Sequence, residues 1–175
     1  MRKVLGIVAC LVSFPAMAQP ASTEHPTIQS YAATQNISYG EAQSRLARLN
    51  DIVAVEKALN DKFPNQFGGL YVVHSPSFKV VVKMTGGGQG LLKQITSDPL
   101  FVVEKAETPI NQLNQLKDKV ARKVAAVDSF QFSAEVNVFD GTVDIRSQDN
   151  ARMQSLLTDD LQQNKNIRLI QVETV

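Results

Sequence analysis

The chain has 175 residues, with 18 lysines and arginines against 17 aspartates and glutamates, one cysteine and no tryptophan. Charge this evenly balanced excludes the basic footprint of a nucleic-acid or anionic-membrane binder. A lone cysteine excludes a disulfide framework and a cysteine-built metal site, and the few aromatic residues give little for a carbohydrate-stacking surface.

The first 18 residues read as a secretory signal peptide. Arg2 and Lys3 supply a basic start, Val4 to Phe14 an apolar run, and Ala16-Met17-Ala18 a small-x-small cleavage signal. The run is about 11 residues, well short of the roughly 20 that hold a chain in a bilayer. A lipoprotein reading through Cys10 competes, but it would cut the apolar run in half. Cleavage after Ala18 would remove Cys10 and leave about 157 residues held together by their core alone. It would also remove Arg2 and Lys3, leaving a net charge of about −1. The expected product is exported, periplasmic or secreted, with no stable membrane anchor.

Residues 19–37 read as a flexible lead-in, with a short helix over Ile28 to Gln35. Ser38-Tyr39-Gly40-Glu41 is a capping box. Ala42, Leu46, Leu49, Val53, Ala54, Leu59 and Phe63 follow at helical spacing, which predicts one long helix ended by Pro64. Leu70 to Val73 and Phe78 to Met84 are strand-like runs joined at Ser75-Pro76-Ser77, a hairpin pattern. Thr85 and Gly86-Gly87-Gly88 break it. Leu91, Leu92 and Ile95 suggest a short helix, and Leu100 to Val103 a third strand.

The pattern then recurs. Thr108-Pro109 opens a helix with Ile110, Leu113, Leu116, Val120 and Val124 on one face. Phe132, Ala134, Val136 and Val138 alternate with polar residues, Asp140-Gly141 makes a tight turn, and Val143 and Ile145 lie on the return strand. A helix carrying Met153, Leu156, Leu157 and Leu161 follows, then a strand over Ile167 to Val172. Helix, hairpin, helix, strand thus occurs twice, with a period of about 64 residues. The expected fold is α+β: two similar helix–hairpin–helix–strand units, residues 38–107 and 108–175, each a small three-stranded antiparallel-type sheet covered by helices.

Alternation in the second unit puts Gln131, Ser133, Glu135 and Asn137, then Thr142, Asp144 and Arg146, then Arg168 on one side of the sheet, predicting a wet face. A three-stranded sheet has two edges, each able to accept a strand from another protein. Catalytic chemistry is not marked. His25 lies in the lead-in and His74 at a strand end, with no nucleophile elbow and no third metal ligand. Asp159-Asp160 reads as a solvated helix end. Gly86 to Gly90 lacks the Lys-Ser/Thr of a phosphate loop. No catalytic, cofactor or metal residues are therefore expected.

Val55 to Tyr71, VEKALNDKFPNQFGGLY, resembles the helix-to-strand passage in pro-regions of alpha-lytic protease and streptogrisin-type serine proteases. Phe78-Lys79-Val80-Val81-Val82 and Phe101 to Lys119, FVVEKAETPINQLNQLKDK, are similar to the segments that follow there, as are the later hairpin and Ile167-Arg168-Leu169-Ile170. The resemblance covers residues 38–173 and rests on the order and spacing of these segments. It implies a non-catalytic protein that inhibits a secreted serine protease or assists its folding, pairing strands of its C-terminal sheet with a protease hairpin and laying its tail in the cleft. The strands would be Phe132 to Val138 and Thr142 to Arg146, with Glu135, Asn137, Thr142, Asp144 and Arg146 at the surface. The tail would be Gln171, Val172, Glu173, Thr174 and Val175, with Val175 entering a specificity pocket. No protease domain follows Val175, so the expected action is in trans on a trypsin-like or alpha-lytic-type enzyme. The alternative is a non-catalytic binding module of the envelope or extracellular space with an unrelated protein partner.

Overall fold

The computed structural model describes residues 25–127 and 131–173. The signal peptide read in residues 1–18 lies outside them, as do Thr174 and Val175.

Helix α1, Pro26–Gln35, begins two positions before the expected start. Proline in the first turn sacrifices an N–H that has no intrahelical partner anyway. The His25 side chain caps the helix by accepting from Thr27 N at 3.3 Å. The lead-in is therefore helical from Pro26 onward, and α1 packs on α2, Tyr39–Ala47. Ser38 caps α2 as the capping box predicts, its Oγ accepting from Glu41 N at 3.2 Å.

The single long helix expected from Ser38 to Phe63 is two helices, α2 and α3, Leu49–Lys62, jointed at Arg48. The Arg48 guanidinium bonds Asp51 of the next turn and Asp98 of a distant loop, so the joint is held by side chains. The joint rotates the buried stripe. Ala42, Ile52 and Leu59 are buried, while Leu49, Val53 and Ala54, expected inside, face outward.

Strands β1, Phe67–Val73, and β2, Lys79–Met84, form the antiparallel hairpin. Helix α4, Gly88–Leu92, leads to β3, Phe101–Lys105, which pairs parallel with β2. In the second unit α5, Ile110–Ala125, precedes the antiparallel pair β4, Phe132–Asn137, and β5, Thr142–Ser147. Helices α6, Asn150–Leu156, and α7, Thr158–Gln163, then bring the chain back to β6, Ile167–Gln171, parallel with β5. The α+β repeat stands, with one correction. Each sheet is mixed, in the orders β1-β2-β3 and β4-β5-β6, because the third strand is reached by a helical crossover and so enters in the same direction as the second.

Each sheet covers its own core. Ile52, Leu59, Val80, Val82, Met84 and Phe101 build the first, and Leu113, Val120, Val124, Val143, Ile145 and Met153 the second. The units meet where the β4–β5 turn leans on β1. Val138 occupies the space above Gly69, where an added Cβ would come within 2.7 Å of it. Gly69 has φ +102, which L side chains rarely adopt. Beside it the Phe139 and Tyr71 rings meet edge-on, with centroids 5.2 Å apart.

Candidate protein-binding face

Strand β5 is the middle strand of the second sheet, so both of its backbone sides are taken. Val143 N donates to Asn166 O at 2.7 Å, and Ser147 O accepts from Val172 N at 2.9 Å. The N–H and C=O of one residue share a side of the strand, so Val143, Ile145 and Ser147 bond toward β6, and Thr142, Asp144 and Arg146 bond toward β4. Their register partners Asn137, Glu135 and Ser133 therefore use their backbone inside the sheet. Outward-facing backbone on β4 belongs to Phe132, Ala134 and Val136, and no described strand pairs with it. Thr142 to Arg146 therefore has no free backbone to offer, and of the two strands expected to pair, only β4 has an edge left unpaired by a strand among the described residues.

The side chains of this sheet face are not simply wet. Asp144 is 1% exposed. Its carboxylate accepts Arg168 Nε at 2.9 Å and Nη2 at 2.6 Å, Thr142 Oγ1 at 2.7 Å, and Asn137 Nδ2 at 3.3 Å. Arg168 also reaches Asp140 at 2.7 Å. Burial alone would raise the Asp144 pKa, but the hydrogen bonds from Arg168, Thr142 and Asn137 outweigh it and hold the carboxyl below the usual range. Hydrogen bonds to Asp144 first and Asp140 second raise the Arg168 pKa. Glu135 and Arg146 pair on the exposed part of the face. Asn137, Thr142 and Asp144 are thus joined with Arg168 into one network whose centre is buried, and Glu135 and Arg146 form a separate pair on the same face.

The expected tail is shorter than five residues. Gln171 ends β6, and its side chain donates to Gln148 O at 2.6 Å and accepts from Asn150 N at 3.3 Å. Val172 is held by Ser147 O. Glu173 is exposed, and Thr174 and Val175 lie outside the described residues.

Other marked residues have structural partners. His74 Nδ1 lies 2.9 Å from Tyr31 Oη, linking the hairpin end to α1. Gly88 lies under Met84 and Val103, where an added Cβ would meet both at 2.7 Å. Asp160, expected at a solvated helix end, is buried and bridges Lys119 and Lys123 of α5 at 2.7 Å each. Hydrogen bonds from Lys119 and then Lys123 hold its carboxyl below the usual range. Sequence reading missed this bridge because its two lysines and its acid lie far apart in the chain. It also missed Phe139, which is 63% exposed at the junction of the units. Among the described residues, no group of three His, Cys, Asp or Glu side chains is arranged to hold a metal, and no helix is long and apolar enough to cross a membrane.

No protein-family model matches the chain, and no curated protein is significantly similar to it.

Proposed function

We propose that this chain is an exported, pro-region-like protein that binds a secreted serine protease of the alpha-lytic or streptogrisin kind in trans, inhibiting it or assisting its folding. Binding proceeds by strand addition at the β4 edge. The observation that carries this reading is the outward backbone of Phe132, Ala134 and Val136, with which no described strand pairs, on the strand that the resemblance assigns to protease pairing. Such an edge supplies a row of donors and acceptors at strand spacing, and side chains on either side of the incoming strand select the partner. Glu135 on β4, paired with Arg146 of the neighbouring β5, is the charged side chain on this face available for that selection.

The test is a titration of residues 19–175 into alpha-lytic-type, streptogrisin-type and trypsin-like proteases, followed with a small peptide substrate. Stoichiometric inhibition is expected from at least one of them. Ala134→Pro removes an outward N–H without touching the ladder to β5, and it should weaken inhibition. Failure of excess intact protein to inhibit or to assist refolding of any of these enzymes contradicts the reading.

A further inference from the structure

The cleft between the two units encloses about 240 Å³. Lys83 and Lys105 enter it from the first sheet and Lys165 from the loop before β6, with Glu107, Thr108 and Asp140 in its walls. Both wall carboxylates are already engaged. Glu107 pairs with Lys105 at 3.0 Å, and Asp140 accepts from Arg168 at 2.7 Å and from Asn137 at 3.2 Å. The other two lysines differ. Lys83 has a side chain only 15% exposed, and its nearest carboxylate, Glu104, stands at 3.8 Å, beyond hydrogen-bond reach. Among the described residues Lys165 has no partner within salt-bridge or hydrogen-bond distance, and its charge acts only at longer range on Glu107.

Lys83 is balanced only by its long ion pair with Glu104, and an anion in the cleft supplies the charge-assisted hydrogen bond it lacks. Thr108 Oγ1 accepts from Asn166 Nδ2 at 3.4 Å, which leaves its own hydrogen free to donate to an anion. The wall acids Glu107 and Asp140 repel a dianion more than a monoanion. We propose that this cleft is a carboxylate-binding site, in which Lys83 from one unit and Lys165 from the other hold a single carboxylate and tie the units together. Its volume suits a small organic acid or one acidic side chain.

The experiment is an amide NMR titration of residues 19–175 with sodium acetate and, separately, with a blocked Ala-Glu-Ala peptide, each matched against sodium chloride at equal ionic strength. Saturable shifts at Lys83, Thr108 and Lys165 with the carboxylates and not with chloride are expected. Lys165 is exposed, so Lys165→Gln keeps the fold and should weaken binding about threefold or more. A peptide that binds tighter than acetate assigns the site to a partner's acidic side chain, and equal affinity assigns it to free acids. Shifts that follow chloride equally, that fall outside the cleft, or that persist unchanged in Lys165→Gln overturn the proposal.

Discussion

Val81 and Asp144 hold the same place in the central strands of the two sheets. Each lies between two buried core residues, each points away from the helices, and each is itself buried, at 0% and 1% exposure. Their neighbours correspond as well, since Val81 pairs with Val102 on the parallel side and Asp144 with Arg168. One unit fills this position with apolar side chains, and the other fills it with a hydrogen-bonded ion pair.

Replacement of both members by the first unit's residues, Asp144→Val with Arg168→Val, should therefore cost less than Asp144→Val alone, because it removes the stranded Arg168 cation and leaves only the Thr142 and Asn137 donors without their acceptor. Asp144→Val alone should cost about 1–3 kcal/mol by stranding the donors of Thr142, Asn137 and Arg168. Arg168→Val alone should also destabilise. Urea unfolding of the four chains gives the cycle, and a double variant no more stable than the worse single one counts against the equivalence.

Acid should unfold the protein through Asp144 and Asp160. Both carboxyls sit below their usual range in the folded chain, so each contributes stability that is complete above the unfolded pKa and lost as pH falls through the folded one. Stability should be level near neutrality and fall below about pH 4. Asp160→Asn should cost about 2 kcal/mol at pH 7 and flatten the acid slope, which unfolding curves between pH 3 and 7 would measure. An unchanged slope means the Lys119 and Lys123 bridge is absent in solution.

Gly69→Ala should destabilise by about 3 kcal/mol, combining the strain of a positive φ with a clash against Val138. Adding Val138→Ala removes the clash but not the strain, so thermal unfolding should recover part of the loss. Full recovery would mean that the backbone at Gly69 relaxes.

Tyr31→Phe deletes the hydroxyl that meets His74 and should cost about 1 kcal/mol. Protease binding should be unchanged, because this link lies in the first unit, away from β4. A matching loss of binding would move the proposed interface.

The repeat was legible because strand alternation and helix stripes are local patterns. So was the cap at Ser38, a matter of four consecutive residues. The joint at Arg48 was not, because the Asp98 that holds it comes from a loop fifty positions later. Parallel entry of β3 and β6 was hidden for a related reason: alternation reports which face a residue takes, and strand direction depends on the crossover. The polar face was read correctly by residue and wrongly by environment. Period-2 alternation placed Asp144 beside Arg146 and Arg168, but only the register of β6 reveals that Arg168 closes over it. The free edge of β4 likewise depends on β5 being central, which chain order alone leaves open.

Amide hydrogen exchange tests the central claim most directly. The chain would be compared free and mixed with a catalytically inactivated alpha-lytic-type protease. Strand addition at β4 predicts new protection at the outward N–H groups of Phe132, Ala134 and Val136, with Ser133 and Glu135 little changed because their N–H groups are already in the ladder. Protection confined to β6 or to the first unit, or no protection at all with any enzyme of this kind, would contradict it.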